Sequence, residues 1–299
     1  MTKDKMEIFE TLLGLEPYYK NHYEMTAVTG LDQIAFSIIT RFSLKFGSWT
    51  EKIGIRTEDE MIAWSENRVH LFETYCMPSV LAQAEHIDKW YILFDQKTTK
   101  PIDQMIERLR AFDFIEPVLL DSESIGVHNA IIETAKIMAR DFSGAYDFIS
   151  TTRLDSDDAL SRLFFPVYRH YLSYFPMEDI GRGRAFNYPI GAQTDTKTFR
   201  LRVANQGPFL SLIEPFAAFR NTANAGGGTS VYKSDHTKMS ALHPVHNIHT
   251  TRPMWLQVIH DQNVGNRFLE NGLALSDNAF FQDLFWPRPV ADLSLKEQT

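Results

Sequence analysis

The sequence predicts an α/β fold: a mostly parallel sheet flanked by helices, with a mixed α/β C-terminal half. Two patterns carry this. In the first half, short apolar or β-branched runs near residues 34–39, 90–94, 116–120 and 148–154 alternate with stretches of helical periodicity, the signature of strand–helix–strand units. In the second half, Phe199, Leu201 and Val203 alternate with Arg200 and Arg202, which reads as a half-exposed strand. A hydrophobic content of 44% with 23% charged residues is ordinary for a soluble globular protein and sufficient for a sizeable core.

Residues 1–30 read as a helical extension, with Met6, Phe9 and Leu13 on one face. Glu7, Glu10 and Glu16 disfavour a membrane-surface role for it. A strand at 34–39 follows, ending in Thr40-Arg41-Phe42. Residues 58–83 are helical in two pieces, broken near Pro78. The run 90–94 is a short buried strand closed by Asp95. Ile102, Met105, Ile106 and Leu109 mark a helix, 116–120 a third strand, and 129–140 a helix with Ile131, Ala135 and Met138 in step. A strand then ends in Asp155, and a helix is expected over 159–174. Residues 209–213 and 255–259 are further strands, and 223–230, with three consecutive glycines, is a flexible loop. No linker divides the chain, so 31–285 is expected to be one domain and 286–299 a tail.

The net charge of −8, with no basic block, disfavours nucleic acid as a partner. The single cysteine, Cys76, excludes an intramolecular disulfide and a thiolate zinc cluster, and its apolar neighbours favour a buried thiol. No run approaches the roughly 18 apolar residues of a spanning helix, and the N-terminus has no signal-peptide core. The expected location is cytoplasmic, with peripheral membrane contact left open.

The most informative stretch is Asp155-Ser156-Asp157-Asp158. Three carboxylates crowd the end of a strand, where α/β sheets bind ligands. Such acids repel one another, and a hard divalent cation, Mg²⁺ or Mn²⁺, relieves that. One Asp and the Ser could instead cap a helix, but capping does not need three acids. Removing one of them, as in Asp157→Ala, is expected to leave stability unchanged or slightly higher. An EF-hand loop fails because its Gly and Glu positions hold Leu160 and Pro166. Nucleotide-loop and zinc-protease motifs are absent. His243, His246 and His249 are spaced three apart, but Pro244 interrupts them and a zinc centre is weakly supported. His260 ends the late strand and reads either as a further metal ligand beside Asp155, Asp157 and Asp158 or as a hydrogen-bonded surface residue. Arg41 and Arg153 suit phosphate, although Arg153 could equally pair with a neighbouring Asp. Asp95 reads either as a base or ribose contact or as a turn residue.

Together these residues resemble a glycosyltransferase of the GT-A kind, through residues 38–42, Leu93-Phe94-Asp95 and the run 153–160 with its Asp-x-Asp. The closer resemblance is to the bacterial family described as putative rhamnosyltransferases. It rests on Thr40-Arg41-Phe42, on Arg68-Val69-His70-Leu71-Phe72-Glu73 with Pro78-Ser79 and Gln83, on the acid run with Arg153, and on Met254 to His260. It covers roughly 34–268. Asp261 stands where family members often have Gly. The resemblance implies a metal-dependent transfer of a sugar, rhamnose by the family's description, from a nucleotide-sugar to a saccharide or glycolipid acceptor. Asp157 would coordinate Mn²⁺ or Mg²⁺, with Asp155 on the ribose or the metal and Arg41, Asp95 and Arg153 around the donor. An inverting enzyme also needs a carboxylate base, for which Asp261, Glu214 and Asp235 are the candidates. The rival readings are a metal-dependent phosphohydrolase or nucleotidyltransferase, and a non-catalytic binding protein on the same scaffold.

Overall fold

Ile34–Arg41 (β1) is buried along its length except at Arg41, and it organises the sheet. Its even residues Ile34, Phe36 and Ile38 enter one core, while Ala35 and Ile39 enter another. A strand covered on both faces must be apolar on both, which explains the near-continuous run. Each large side chain so buried contributes roughly 1.5–3 kcal/mol. The computed structural model describes residues 30–45, 49–175, 177–225, 229–260, 268, 273–275 and 283–285. The expected extension at 1–29 and tail at 286–299 lie outside the described residues, as do Asp261 and the glycines at 226–228.

The remaining strands are β2 (Lys89–Asp95), β3 (Ile115–Leu120), β4 (Phe148–Asp155), β5 (Ala159–Leu160), β6 (Arg184–Asn187), β7 (Ile190–Thr194), β8 (Phe199–Val203), β9 (Ser211–Pro215), β10 (Val245–Asn247), β11 (Trp255–Val258) and β12 (Ala274–Leu275). The central sheet has the order β10-β6-β9-β4-β1-β2-β3. Strands β3, β2, β1 and β4 are mutually parallel, β9 runs against β4 and β6, and β10 is parallel to β6. A second sheet has the order β12-β8-β7-β11-β5 and is mixed. The parallel half and the mixed half foreseen from the sequence are both present.

One face of the central sheet is covered by the helices Lys100–Leu109 and Phe164–Leu172 and by the segment from Glu58 to Leu81, through Ile106, Leu109, Tyr168 and Phe72. The other is covered by the helices Ser122–Asp141 and Phe216–Ala225, through Ala135, Met138 and Phe219.

The structure corrects four local expectations. The segment 58–83 is not broken at Pro78: a helix over Glu58–Leu71 runs through one π-helical stretch, Phe72–Cys76, into a helix over Met77–Leu81. Pro78 sits in the first turn of that last piece, where its missing N–H is tolerated. Second, 159–174 is not one helix. Ala159 and Leu160 form β5, and the helix begins at Phe164. Third, the strand expected at 209–213 spans Ser211–Pro215. Fourth, Ala223 to Ala225 end a helix and are not loop.

Trp255 fixes the second sheet. Its indole Nε1 donates to the Tyr188 carbonyl at 2.8 Å. The ring lies against Gly191 of β7 so closely that a Cβ there would fall 2.0 Å from Trp255 Cδ2, so only glycine fits.

Candidate active site

The acid run is the bend at which the chain leaves the central sheet and enters the second one. β4 ends at Asp155 and β5 begins at Ala159. β5 is antiparallel to β11, with Ala159 opposite Leu256 and Leu160 opposite Trp255. Continuing that register brings the residues after Val258 back alongside 155–157. The helix-capping alternative falls here, because the acids precede a strand. Asp158 instead ties the bend to β11: its Oδ1 accepts from the Val258 N–H at 2.8 Å.

Asp157 is the charged centre of the bend. Its Oδ2 accepts from Arg68 Nη1 at 2.9 Å and lies 2.9 Å from His260 Nε2. Arg68 Nη2 also donates to Ser156 Oγ at 2.7 Å. Burial raises the Asp157 carboxyl pKa, but Arg68 and His260 more than offset this and bring it down to about 2. Asp158 goes the other way. It is fully buried, its Oδ2 has no hydrogen-bond partner among the described residues, and burial with the neighbouring Asp157 and Asp155 charges pushes its pKa well up. The two adjacent acids are thus driven apart, one ionised and one favouring its proton.

A second group lies on the other side of the bend. Arg41 and Asp155 are register partners on β1 and β4, with Arg41 Nη2 3.8 Å from Asp155 Oδ1. Arg153 Nη2 donates to Asp155 Oδ2 at 3.2 Å. Burial opposes the Arg153 charge, but Asp155 outweighs it and the net shift is upward. The guanidinium carbons of Arg41 and Arg153 stand 4.7 and 5.4 Å from the centroid of the Tyr232 ring, within cation–π range. These three residues, with Ile39, Leu44, Leu93, Thr134 and His236, line a cavity of about 270 Å³ at the carboxyl ends of β1, β2 and β4.

The other candidates are placed as follows. Asp95 is buried and engaged: Oδ2 accepts from Ser122 Oγ, Oδ1 accepts from the Lys97 N–H at 2.8 Å, and Lys45 Nζ is 3.8 Å away. These contacts hold the carboxylate in the turn that follows β2. Glu214 lies on β9 and holds the following loop, accepting from Thr229 Oγ1 at 2.7 Å, the Ser230 N–H at 2.8 Å and Lys233 Nζ at 2.5 Å. Asp235 lines the cavity, and its carboxylate accepts from the Thr237 N–H and Oγ1, which lowers its pKa. His243 lies 3.2 Å from the Gly183 carbonyl, and His246 bonds Arg184 and packs on Phe175. Cys76 is fully buried, and burial with the nearby acids raises its pKa, leaving an inert thiol.

Two contributors were not assigned roles from the sequence. Arg68 opens the run Arg68 to Glu73 that the family resemblance uses, but nothing local pairs it with Asp157, 89 residues away. Tyr232 carries no sequence signal. It reaches the cavity because the loop held by Glu214 brings it there, with its hydroxyl donating to the Ile39 carbonyl at 3.3 Å.

The donor types fit a hard divalent cation: carboxylate oxygens at Asp155, Asp157 and Asp158, an imidazole nitrogen at Asp157 Oδ2, and a buried orphan acceptor at Asp158 Oδ2. Among the described residues no three His, Cys, Asp or Glu side chains are already gathered around one point. The positive charge facing Asp157 is that of Arg68. No helix among the described residues is long and apolar enough to cross a membrane.

No curated protein sequence matches the chain. Among solved structures, the chain is similar to TarS from S. aureus (11% identity, TM-score 0.42, covering 75% of this chain and 60% of that one). It is also similar to a protein described as a "putative nucleotide-diphospho-sugar transferase" from Desulfovibrio desulfuricans G20 (10% identity, TM-score 0.34, covering 77% of this chain and 83% of that one). The chain therefore spans about 60% of the TarS structure. The β3-β2-β1-β4 core, with the acid bend after β4, is the parallel half of the α/β fold expected from the sequence. The profile of the family described as "putative rhamnosyl transferase" matches residues 34–271, and the chain belongs to that family.

Proposed function

We propose that the protein is a glycosyltransferase that moves a sugar from a nucleotide-sugar to a hydroxyl of a saccharide or glycolipid acceptor. One observation carries the reading. At the carboxyl ends of the parallel strands, a cavity bordered by two arginines and a tyrosine opens beside a bend that holds three acids. Ligands of open α/β sheets bind at this edge. The nucleoside lies in the cavity against Tyr232, Leu44 and Leu93. Its diphosphate points to Arg41 and Arg153, whose planar guanidinium groups suit phosphate oxygens. Fixed positive charge there stabilises the charge that grows on the diphosphate as its bond to the sugar breaks. Rhamnose is the donor sugar that the family description supports.

Asp157 and His260, with Asp155, would hold a divalent cation, Mn²⁺ or Mg²⁺. When bound, such an ion adds Lewis-acid stabilisation of the leaving diphosphate. Asp261 remains the proposed base for an inverting reaction: it follows His260 directly in the chain, whereas the Glu214 and Asp235 carboxylates are taken up by nearby donors.

The test is incubation with nucleotide-linked rhamnose and other nucleotide-sugars, saccharide acceptors and Mn²⁺, read by mass spectrometry. A glycosylated acceptor is expected. Free sugar alone, at every acceptor tried, would replace transfer by hydrolysis.

A further inference from the structure

Arg68 is the least expected member of the site. It comes from the last turn of the helix Glu58–Leu71, just before the π-helical stretch, a feature that often marks functional positions. Its guanidinium carbon lies 5.7 Å from the Trp64 ring, and the side chain is 14% exposed. Nη1 is bound to Asp157 and Nη2 to Ser156. The third nitrogen, Nε, is buried and has no hydrogen-bond partner among the described residues. A buried unpaired N–H is costly, so a guanidinium kept in this state is poised for an acceptor not yet present.

Asp157 Oδ2 already serves Arg68 and His260. A divalent ion bonded to that oxygen at roughly 2 Å would stand within about 5 Å of Arg68 Nη1, since the nitrogen itself lies 2.9 Å from the same oxygen. Like charges so close in a largely buried site repel strongly. Two negative phosphates would offset that repulsion and offer Arg68 the acceptor its Nε lacks.

We propose that Arg68 is a positioning residue: it stands in for the divalent cation on Asp157 in the nucleotide-free protein and turns to the diphosphate when the nucleotide arrives. It thereby suppresses binding of the bare ion and makes ion and nucleotide binding mutually dependent. This rests on the divalent-cation reading of the site, and the experiment separates the two.

The full chain and its Arg68→Gln and Arg68→Lys variants are titrated with Mn²⁺ alone, with free Mn²⁺ followed by electron paramagnetic resonance and folding checked by melting. Glutamine keeps a hydrogen-bond donor but loses the charge. It should bind Mn²⁺ about ten-fold more tightly than the wild type, the effect of removing one nearby positive charge. Lysine keeps the charge but cannot bridge Asp157 and Ser156 as a fork does, so its affinity should fall between the two. It carries the test if the glutamine variant does not fold. A merely structural arginine would lower Mn²⁺ affinity when replaced, so a gain is diagnostic. Equal or weaker binding by the variants, with wild type binding Mn²⁺ in the presence of UDP, GDP, CDP or TDP, overturns the inference and leaves the cation reading standing. No Mn²⁺ binding by any form, with or without those diphosphates, overturns both.

Discussion

His260 Nε2 and Asp157 Oδ2 lie 2.9 Å apart across a sequence separation of 103 residues. The contact follows from strand register. β5 and β11 pair antiparallel, with Ala159 opposite Leu256, and Asp158 takes the Val258 N–H, so the chain beyond Val258 returns past Asp157. Trp255, seated on Gly191, pins the start of that strand.

Asp157→Ala should abolish transfer and also lower stability, by roughly 3 kcal/mol, the scale for removing one partner of a buried pair. This revises the sequence-based expectation of an unchanged or higher stability. That expectation saw only repelling acids, whereas the structure sets Arg68 against Asp157. Urea unfolding, with a transfer assay alongside, checks it. An unshifted midpoint would show that the pair contributes nothing.

The low pKa of Asp157 makes stability depend on acid. Its folded value of about 2 lies below the usual 3.8. The unfolded chain therefore binds the proton first as pH falls, and the contribution, about 2 kcal/mol, is complete above pH ~4 and lost on descending to about 2. Melting temperatures at pH 5, 4, 3 and 2.5 should fall progressively. Asp157→Asn should flatten that fall.

Asp158 has the opposite sign. Its folded pKa is raised by burial and by the charges of Asp157 and Asp155. Its contribution is full below the unfolded value and declines as pH rises toward the folded one. Asp158→Asn keeps the shape and the acceptor for Val258 but carries no proton to lose. The variant should melt at or above the wild-type temperature at pH 7, with the difference shrinking at pH 4. A lower melting temperature at neutral pH would mean that the ionised form is the one the fold holds.

Glu214 should act on nucleotide binding through its loop. Glu214→Ala leaves the Ser230 N–H, the Thr229 hydroxyl and Lys233 without their acceptor and should cost about 1–3 kcal/mol. It should also weaken nucleoside-diphosphate binding, because Tyr232 sits on that loop. Tyr232→Ala should weaken the same binding with a smaller stability loss. Calorimetry on both variants measures this. Full nucleotide affinity in Tyr232→Ala would remove the ring from the site.

The chain's own pattern determined the strand–helix alternation, the buried strands β1 and β2, and the acid cluster at the end of β4. Each of these is local: apolar periodicity and a run of like charges are visible wherever they stand in the chain. The reading faltered where local preference was overridden. Ala159 and Leu160, helical by context, became a strand because β11 offered them partners, and Pro78 ended no helix because it fell in a first turn. What only the tertiary structure decided is who faces whom. Arg68 and His260 reach the acid bend, and Tyr232 the neighbouring arginines, from three distant segments, while the carboxylates of Asp95, read as a base or ribose contact, and Glu214, read as a candidate base, accept hydrogen bonds within a turn and a loop. Pairings of that kind depend on sheet register and helix placement, which are set by burial summed over the whole chain and leave no mark near any one residue.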